Sequence, residues 1–236
     1  MNENLSLAMV VMNEGHRLEA IVRRCRPYVR EVVIGVQDST DDTLAKALDL
    51  ADRVARDEVR GFGDATFGPK VLPLVRTPWT LKIDGDELPT VALMASLGEA
   101  IAKAGLEHQD AIWIPFKSWI EDEEWAVPHG HVRVFQTRLG WPATMHSSPE
   151  TQRVMRWDVG FIEHRKTLDE HVRGYLGYLE RSGSHKGWIE HNTAMIYHAV
   201  TGTAKTKGWD WIKAHDWWPS VEGIIGEAAD PEWPEP

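Results

Sequence analysis

Three short polar clusters, Asn13-Glu14, Asp38 to Asp42 and Asp84 to Glu87, each follow directly on an apolar, β-prone run. The third has the most definite chemistry. Two carboxylates flanking a glycine, Asp84-Gly85-Asp86, can offer oxygen ligands to a hard divalent cation, while the glycine lets a backbone or a phosphate come close. A cation held there neutralises a diphosphate and stabilises it as a leaving group. An isolated Asp-Gly turn with solvated acids explains the same triplet. The preceding strand, the adjoining Glu87 and the two other polar strand ends favour the metal and diphosphate. Lys70, Arg76 and Lys82 lie between these clusters, as cations facing a diphosphate or as surface charges. His129 and His131 fall on one face of a candidate strand, in acceptor-side or structural roles.

The elements that must position these groups follow from periodicity. Leu5 to Val11, Val32 to Val36, Arg53 to Arg56 and Trp79 to Ile83 are strand-like. Leu18, Ile21, Val22 and Cys25 have helical spacing, as do Leu44, Ala45 and Leu48, with Ser39 to Asp42 as the capping stretch; Pro89 to Ala104 is a further helix. Strands alternating with helices imply a parallel sheet covered on both faces, whose ligands bind beyond the carboxyl ends of the strands. After Gly105 the pattern changes. Ala111 to Ile120 and Val132 to Phe135 read as an antiparallel extension around the acidic turn Glu121 to Glu124. Thr167 to Glu170 has the form of a capping box, and Trp188 to Val200 and Ala204 to Trp218 read as helices.

Composition bounds the function. The chain has 236 residues, 42% hydrophobic and 26% charged, enough for a real core and unlike a disordered or fibrous sequence. A net charge of −10 argues against wholesale wrapping of nucleic acid, although five of the acids (Glu222, Glu227, Asp230, Glu232, Glu235) sit in the stretch from Ser220 to Pro236, which lacks Lys and Arg. The single cysteine, Cys25, excludes an internal disulfide and a Cys-rich zinc site. With no signal-like start and no run long enough to span a bilayer, the expected location is the cytoplasm. Of the 12 tryptophans, 11 follow residue 112. Lys205 to Trp218 interleaves cations with aromatics, which suits either a helix packing its Trp face inward or a surface that stacks on a sugar or nucleobase.

Taken together, Leu5 to Glu14 (LSLAMVVMNE), Val32 to Thr43 (VVIGVQDSTDDT) and Trp79 to Glu87 (WTLKIDGDE) resemble the strand ends of family 2 glycosyltransferases with the GT-A fold. The resemblance covers roughly residues 5–200. It implies an α/β fold, a GT-A-like Rossmann-type, mostly parallel sheet flanked by helices, with an antiparallel extension and C-terminal helices. Residues 1–105 would be the nucleotide-sugar half, 106–219 the acceptor half and 220–236 an acidic tail. The implied activity is inverting, metal-dependent transfer of a sugar from a nucleoside diphosphate to an acceptor hydroxyl on a glycan, a protein or a hydroxymethylated DNA base. DNA would be engaged through Lys205 to Trp218.

By the same resemblance, Asp84, Asp86 and His164, the last in Gly160-Phe161-Ile162-Glu163-His164, would hold Mn²⁺ or Mg²⁺. Asn13, Glu14, Asp38, Lys70, Asp84 and Gly85 would contact the donor. Val132-Arg133-Val134-Phe135, Trp141 and His146 match an Arg-hydrophobic-Phe, Trp and His-Glu pattern of one branch, except that Ser147 stands where the Glu belongs. Glu150 is therefore the first choice of base and His146 the second. The usual Val-Asp-x-Gly-Ser-Thr-Asp segment is also altered: Val36 replaces its first Asp and Asp38 its Gly, so Asp38 substitutes for the missing carboxylate or the base is read differently. A nucleotidyltransferase and a non-catalytic glycan-binding or nucleotide-binding module are the competing readings.

Overall fold

In the computed structural model, residues 2–58, 63–143, 148–181 and 186–227 are described. The chain runs β1 (Asn2–Val11), α1 (Gly15–Cys25), β2 (Val29–Val36), α2 (Thr43–Leu50), β3 (Arg53–Arg56), α3 (Gly63–Thr66), β4 (Trp79–Asp84), β5 (Glu87–Pro89) and α4 (Val91–Leu106). It continues through β6 (Ala111–Ile120), β7 (Glu123–Gln136), β8 (Val154–Arg156), β9 (Ile162–Lys166), α5 (Leu168–Arg181), α6 (Lys186–Lys207), α7 (Trp209–Lys213) and α8 (Trp218–Glu227). Contacts group the chain into two compact units, Met1–Lys117 with Pro128–His164, and Ser118–Val127 with Arg165–Pro236.

In the first unit every residue from Leu5 to Val11 is buried, because β1 lies between β2 and β4, parallel to both. The period of two divides its side chains between layers: Leu5, Leu7, Met9 and Val11 join one core with Leu18, Ile34 and Leu81, while Ala8 and Val10 join another with Phe67, Phe135 and Trp141. A sheet buried on both faces thus explains the unbroken apolar run. The strand order is β3-β2-β1-β4-β7-β6-β9-β5, with β8 paired to β6. The chain winds outward from β1 to β3 and then returns to place β4 on the other side of β1. The crevice at the carboxyl ends of β1 and β4 is the topological switch point, where open α/β sheets bind ligands. Beyond it the sheet turns antiparallel, Leu81 pairing with Val134 and Glu87 with His164.

Several expected elements differ in extent. Strand β7 begins at Glu123 rather than Val132, and β5, β8 and β9, with 3, 3 and 5 residues, had too short a pattern to stand out. Helix α4 starts after Thr90, whose side chain accepts a hydrogen bond from the Leu93 N–H.

The second unit is mainly helical. Leu168, Val172, Ile196, Val200, Ile212, Trp217 and Val221 form its core. The capping box is present: the Thr167 N–H donates to Glu170 Oε2 at 2.8 Å and the Glu170 N–H to Thr167 Oγ1 at 3.1 Å. The first of the two helices expected on either side of Gly202 runs through that glycine to Lys207 as α6, since an interior glycine costs only about 1 kcal/mol, and the second is reduced to α7. The break comes at Gly208, at φ 86°, whose N–H closes the helix on Ala204 O. Of the aromatics between Lys205 and Trp218, Trp217 is buried and donates to Asp169, whereas Trp209 and Trp211 are 42% and 37% exposed. Among the described residues no helix is long and apolar enough to cross a membrane.

Candidate active site at the carboxyl ends of β1 and β4

The loops that leave β1 and β2 are tied to each other by hydrogen bonds. Asn13 has φ 56°, a left-handed conformation that Asn tolerates, and its Oδ1 accepts from the Thr40 N–H at 2.8 Å. The Asn13 N–H donates to Ser39 Oγ, the Glu14 N–H to Thr43 Oγ1 and the Gly15 N–H to Asp41 Oδ2. Asp41 also accepts from the Thr43 N–H, so one carboxylate serves the first turns of both α1 and α2. Burial pushes its pKa up, but these donors outweigh that and hold it below the usual range. The Ser-Thr-Asp part of the altered second segment is therefore framework. Asp38 stands exposed on the same loop, next to the buried Gln37.

Glu14 bridges to the third cluster. Its side chain lies over Gly85, where an added Cβ would come within 2.5 Å of Glu14 Cγ, so glycine permits the close approach of the β1 and β4 ends. The neighbouring Asp84 is clamped between two cations. Its Oδ1 accepts from Lys82 Nζ at 2.6 Å and its Oδ2 from Arg133 at 2.9 Å. Lys82 is only 4% exposed, with its ammonium 5.5 Å from the Phe67 ring and 5.2 Å from that of Trp141. Arg133 also pairs with Glu87, whose other oxygen accepts from the Asp84 N–H at 2.9 Å.

These charges set one another. Burial raises the Asp84 pKa, yet Lys82 and Arg133 prevail and keep it ionised well below the ordinary carboxylate range. Burial pushes Glu87 up to about 7 against the pull of Arg133. Asp84 is thus a partly exposed carboxylate, at 36%, whose two oxygens are already engaged.

Asp86 is oriented differently. The antiparallel pairing that sets Glu87 opposite His164 brings His164 Nε2 to 3.1 Å from Asp86 Oδ2. The geometry of β9 depends on Gly160, at φ 77°, where any Cβ would collide with the Leu93 backbone and the Thr90 hydroxyl. Sequence residues 78 positions apart thus meet as one carboxylate and one imidazole. Among the described residues no group of three His, Cys, Asp or Glu side chains converges as a ready-made metal site. The pair fits a divalent cation in its donor chemistry and in its spacing, since two ligands at about 2.1 Å and a right angle lie about 3.0 Å apart.

Other expected site residues lie elsewhere. Lys70 is paired with Asp57 at 2.7 Å, and Asp57 accepts from Thr66, which accepts from Gln37, in a buried chain at the ends of β2 and β3. Glu150 is not brought to the crevice. Its neighbours Thr151 and Arg153 bind Asp110, which precedes β6 at the amino end of the sheet, where the Gln136 N–H meets Asp110 O. The parallel pairing of Ala111 with Val154 confirms that direction, so an exposed Glu150 belongs to the opposite end from Asp84. His146 is outside the described residues. Asp57 is the polar group the sequence did not single out, while Glu87 and Arg133, noted there as an adjoining acid and as part of a strand pattern, prove to be paired with each other. The Arg-hydrophobic-Phe pattern of Val132 to Phe135 singled out Arg133 in the sequence without showing its pairing with Asp84 and Glu87.

No family model matches the chain, and no curated protein matches it either. Solved structures do. Residues 1–349 of TarS from S. aureus match with a TM-score of 0.51 and 12% identity, covering 96% of this chain and 81% of that one. The glucosyl-3-phosphoglycerate synthase of Mycobacterium tuberculosis in complex with phosphoglyceric acid matches with a TM-score of 0.53 and 16% identity, over 82% and 80% of the two chains. The same synthase with Mg²⁺ and uridine diphosphate gives 0.51 and 16%, over 76% of each chain. The chain has the fold of these GT-A enzymes.

Proposed function

We propose that the chain is a glycosyltransferase that moves a sugar from a nucleoside diphosphate sugar to an acceptor hydroxyl. The observation that carries this reading is the pairing of Asp86 with His164 beside Gly85 and Glu14, at the switch point of a GT-A fold. The complexes of similar folds with uridine diphosphate and Mg²⁺ or Mn²⁺ support the donor class and the cation.

Asp86 and His164 would hold Mn²⁺ or Mg²⁺, with diphosphate oxygens and water filling the remaining positions. Bound there, the cation would neutralise charge on the departing diphosphate. Asp84 keeps Lys82 and Arg133 in place beside that charge, which makes it a positioning residue and leaves Asp86 as the direct ligand. The Asn13-Glu14 and Asp38 loops, locked by Asp41 and Thr43, would line the nucleoside side, with Lys70 and Asp57 at its edge. In the transfer the acceptor oxygen bonds to the anomeric carbon as the bond to the diphosphate breaks. The electron pair leaves with the diphosphate and the acceptor proton passes to a base, with inversion when attack comes from the opposite face.

The test is a calorimetric and thermal-shift panel of nucleotide sugars with Mn²⁺, followed by mass spectrometry of acceptors. A matched donor raises the melting temperature by mass action. Asp86→Ala should abolish transfer and metal-dependent donor binding while leaving the fold intact; full activity in that variant refutes the assignment. Release of pyrophosphate in place of a nucleoside diphosphate would reverse the choice to a nucleotidyltransferase.

A further inference from the structure

At the amino end of the sheet, away from the crevice, the loop that enters β4 and the one that leaves β7 frame an open cavity of about 620 Å³. Its walls include Val75, Arg76, Pro78 and Trp79 on the β4 side and Thr137 and Arg138 on the β7 side, and no Asp or Glu is among them. The two segments are fastened together by the pairing of Trp79 with Gln136 and by the Thr137 N–H, which donates to Pro78 O at 2.9 Å. The carboxylates nearest to these arginines, Glu31 and Asp110, are buried and already engaged. Glu31 accepts from Ser6, Arg53 and the Arg76 N–H, and Asp110 from Arg138, Arg153 and Thr151. The Arg76 side chain is exposed, and among the described residues its guanidinium has no hydrogen-bond or ion-pair partner. Arg138 is 64% exposed and uses only its Nε and one terminal nitrogen, on Gln136 and Asp110.

We propose that this cavity binds a small organic anion with an apolar body, at a site separate from the donor crevice. Three observations point to that ligand class. A chain of net charge −10 here presents a concave surface lined by two guanidinium groups and no carboxylate, which attracts anions. The planar guanidinium fork matches the paired oxygens of a carboxylate or a phosphate, and Arg76 has its whole fork to offer. Val75, Pro78 and Trp79 add apolar wall, which a bare inorganic anion leaves wet and a ring or short hydrocarbon covers. A cavity of this volume holds a small molecule. Carboxylates and phosphate esters share the chemistry, and relative affinity identifies the head group. The six residues of β4 span about 17 Å from Trp79 at this end to Asp84 in the crevice. The site therefore lies outside the transfer chemistry, and the proposal does not depend on the transferase reading.

The test follows the arginine Nε–H and tryptophan indole signals of the full chain by ¹H–¹⁵N NMR during titration with phenylacetate and phenyl phosphate. Acetate and inorganic phosphate serve as anions without the ring, and benzyl alcohol as the ring without the charge. Signals are assigned with Arg76→Gln, Arg138→Gln and Trp79→Phe. Saturable shifts at Arg76, Arg138 and Trp79 are expected with the ring-bearing anions, at concentrations about tenfold lower than with the ringless pair. The tighter of the two names the head group. Arg76→Gln, which breaks no hydrogen bond of that side chain among the described residues, should weaken binding about tenfold. Arg30→Gln is the control, an exposed arginine at the same end of the sheet whose Nε is paired with Glu3 at 3.2 Å, and it should leave binding unchanged. Absence of a saturable shift up to about 10 mM would overturn the proposal. So would equal affinity for the ringless anions or for benzyl alcohol, an equal loss in Arg30→Gln, or shifts that spare Trp79 and appear instead at Trp141 beside Lys82.

Discussion

Asp84 and Asp86 are one residue apart and do different work. The first is saturated by Lys82 and Arg133, the second faces His164, and the glycine between them admits Glu14. Replacing one should not mimic replacing the other. Asp86→Asn is expected to weaken cation-dependent donor binding with little change in urea stability, whereas Asp84→Asn should lower stability by stranding two buried cations. Titration calorimetry and urea unfolding of both variants check the contrast, and identical profiles would contradict it. Arg133 is the harsher case, because Glu87 is buried and the pair was assembled at the expense of solvation. Arg133→Met should cost about 3–5 kcal/mol in urea unfolding, the usual penalty for stranding one member of a buried ion pair.

At the scale of elements, the site depends on loops and caps more than on the strands' own pairing. Asp41 supports the start of α1 and α2 together, so Asp41→Ala should lose about 1–2 kcal/mol of thermal stability and loosen the Asn13-Glu14 turn, which proteolysis at that loop would report. Gly160→Ala tests the positioning of β9. Its strained conformation and the collision with Leu93 predict a loss of about 1–3 kcal/mol, together with weaker pairing of His164 to Asp86. A variant as stable as the parent would show that β9 can re-form by another route. The longer parallel strands and the helices between them were legible because each carries an apolar period of its own: Leu5 to Val11 and Val32 to Val36 lie in strands as expected, and the Thr167 capping box closes as its spacing required. Short strands β5, β8 and β9 were not, since three to five residues hold too little periodicity and gain their order from partners far along the chain.

For the molecule as a whole, acid stability should depend on the amino end of the sheet, remote from the chemistry. Glu31 is buried among the Ser6 hydroxyl, the Arg76 N–H and the Arg53 guanidinium. Burial raises its pKa, but these donors outweigh it and lower the folded value. Its stabilising contribution is therefore complete above the unfolded pKa of about 4.3 and disappears as pH falls through the lowered folded value. Glu31→Gln should lose stability at neutral pH and show a shallower decline in acid; parallel stability curves for the two proteins would contradict this. Such a network joins Glu31 of β2 to Ser6 of β1 and Arg53 of β3, as the Asp84 clamp joins β4 to Arg133 of β7, so its members meet only through the sheet. Local composition was enough to define an α/β chain with polar strand ends and an Asp-Gly-Asp triplet, because backbone periodicity and side-chain chemistry are written into successive residues. Which carboxylate meets a cation, which faces an imidazole, and that Glu150 belongs to the far end of the sheet were decided by strand order and register. Those are properties of packing between distant segments, and no window of neighbouring residues contains them.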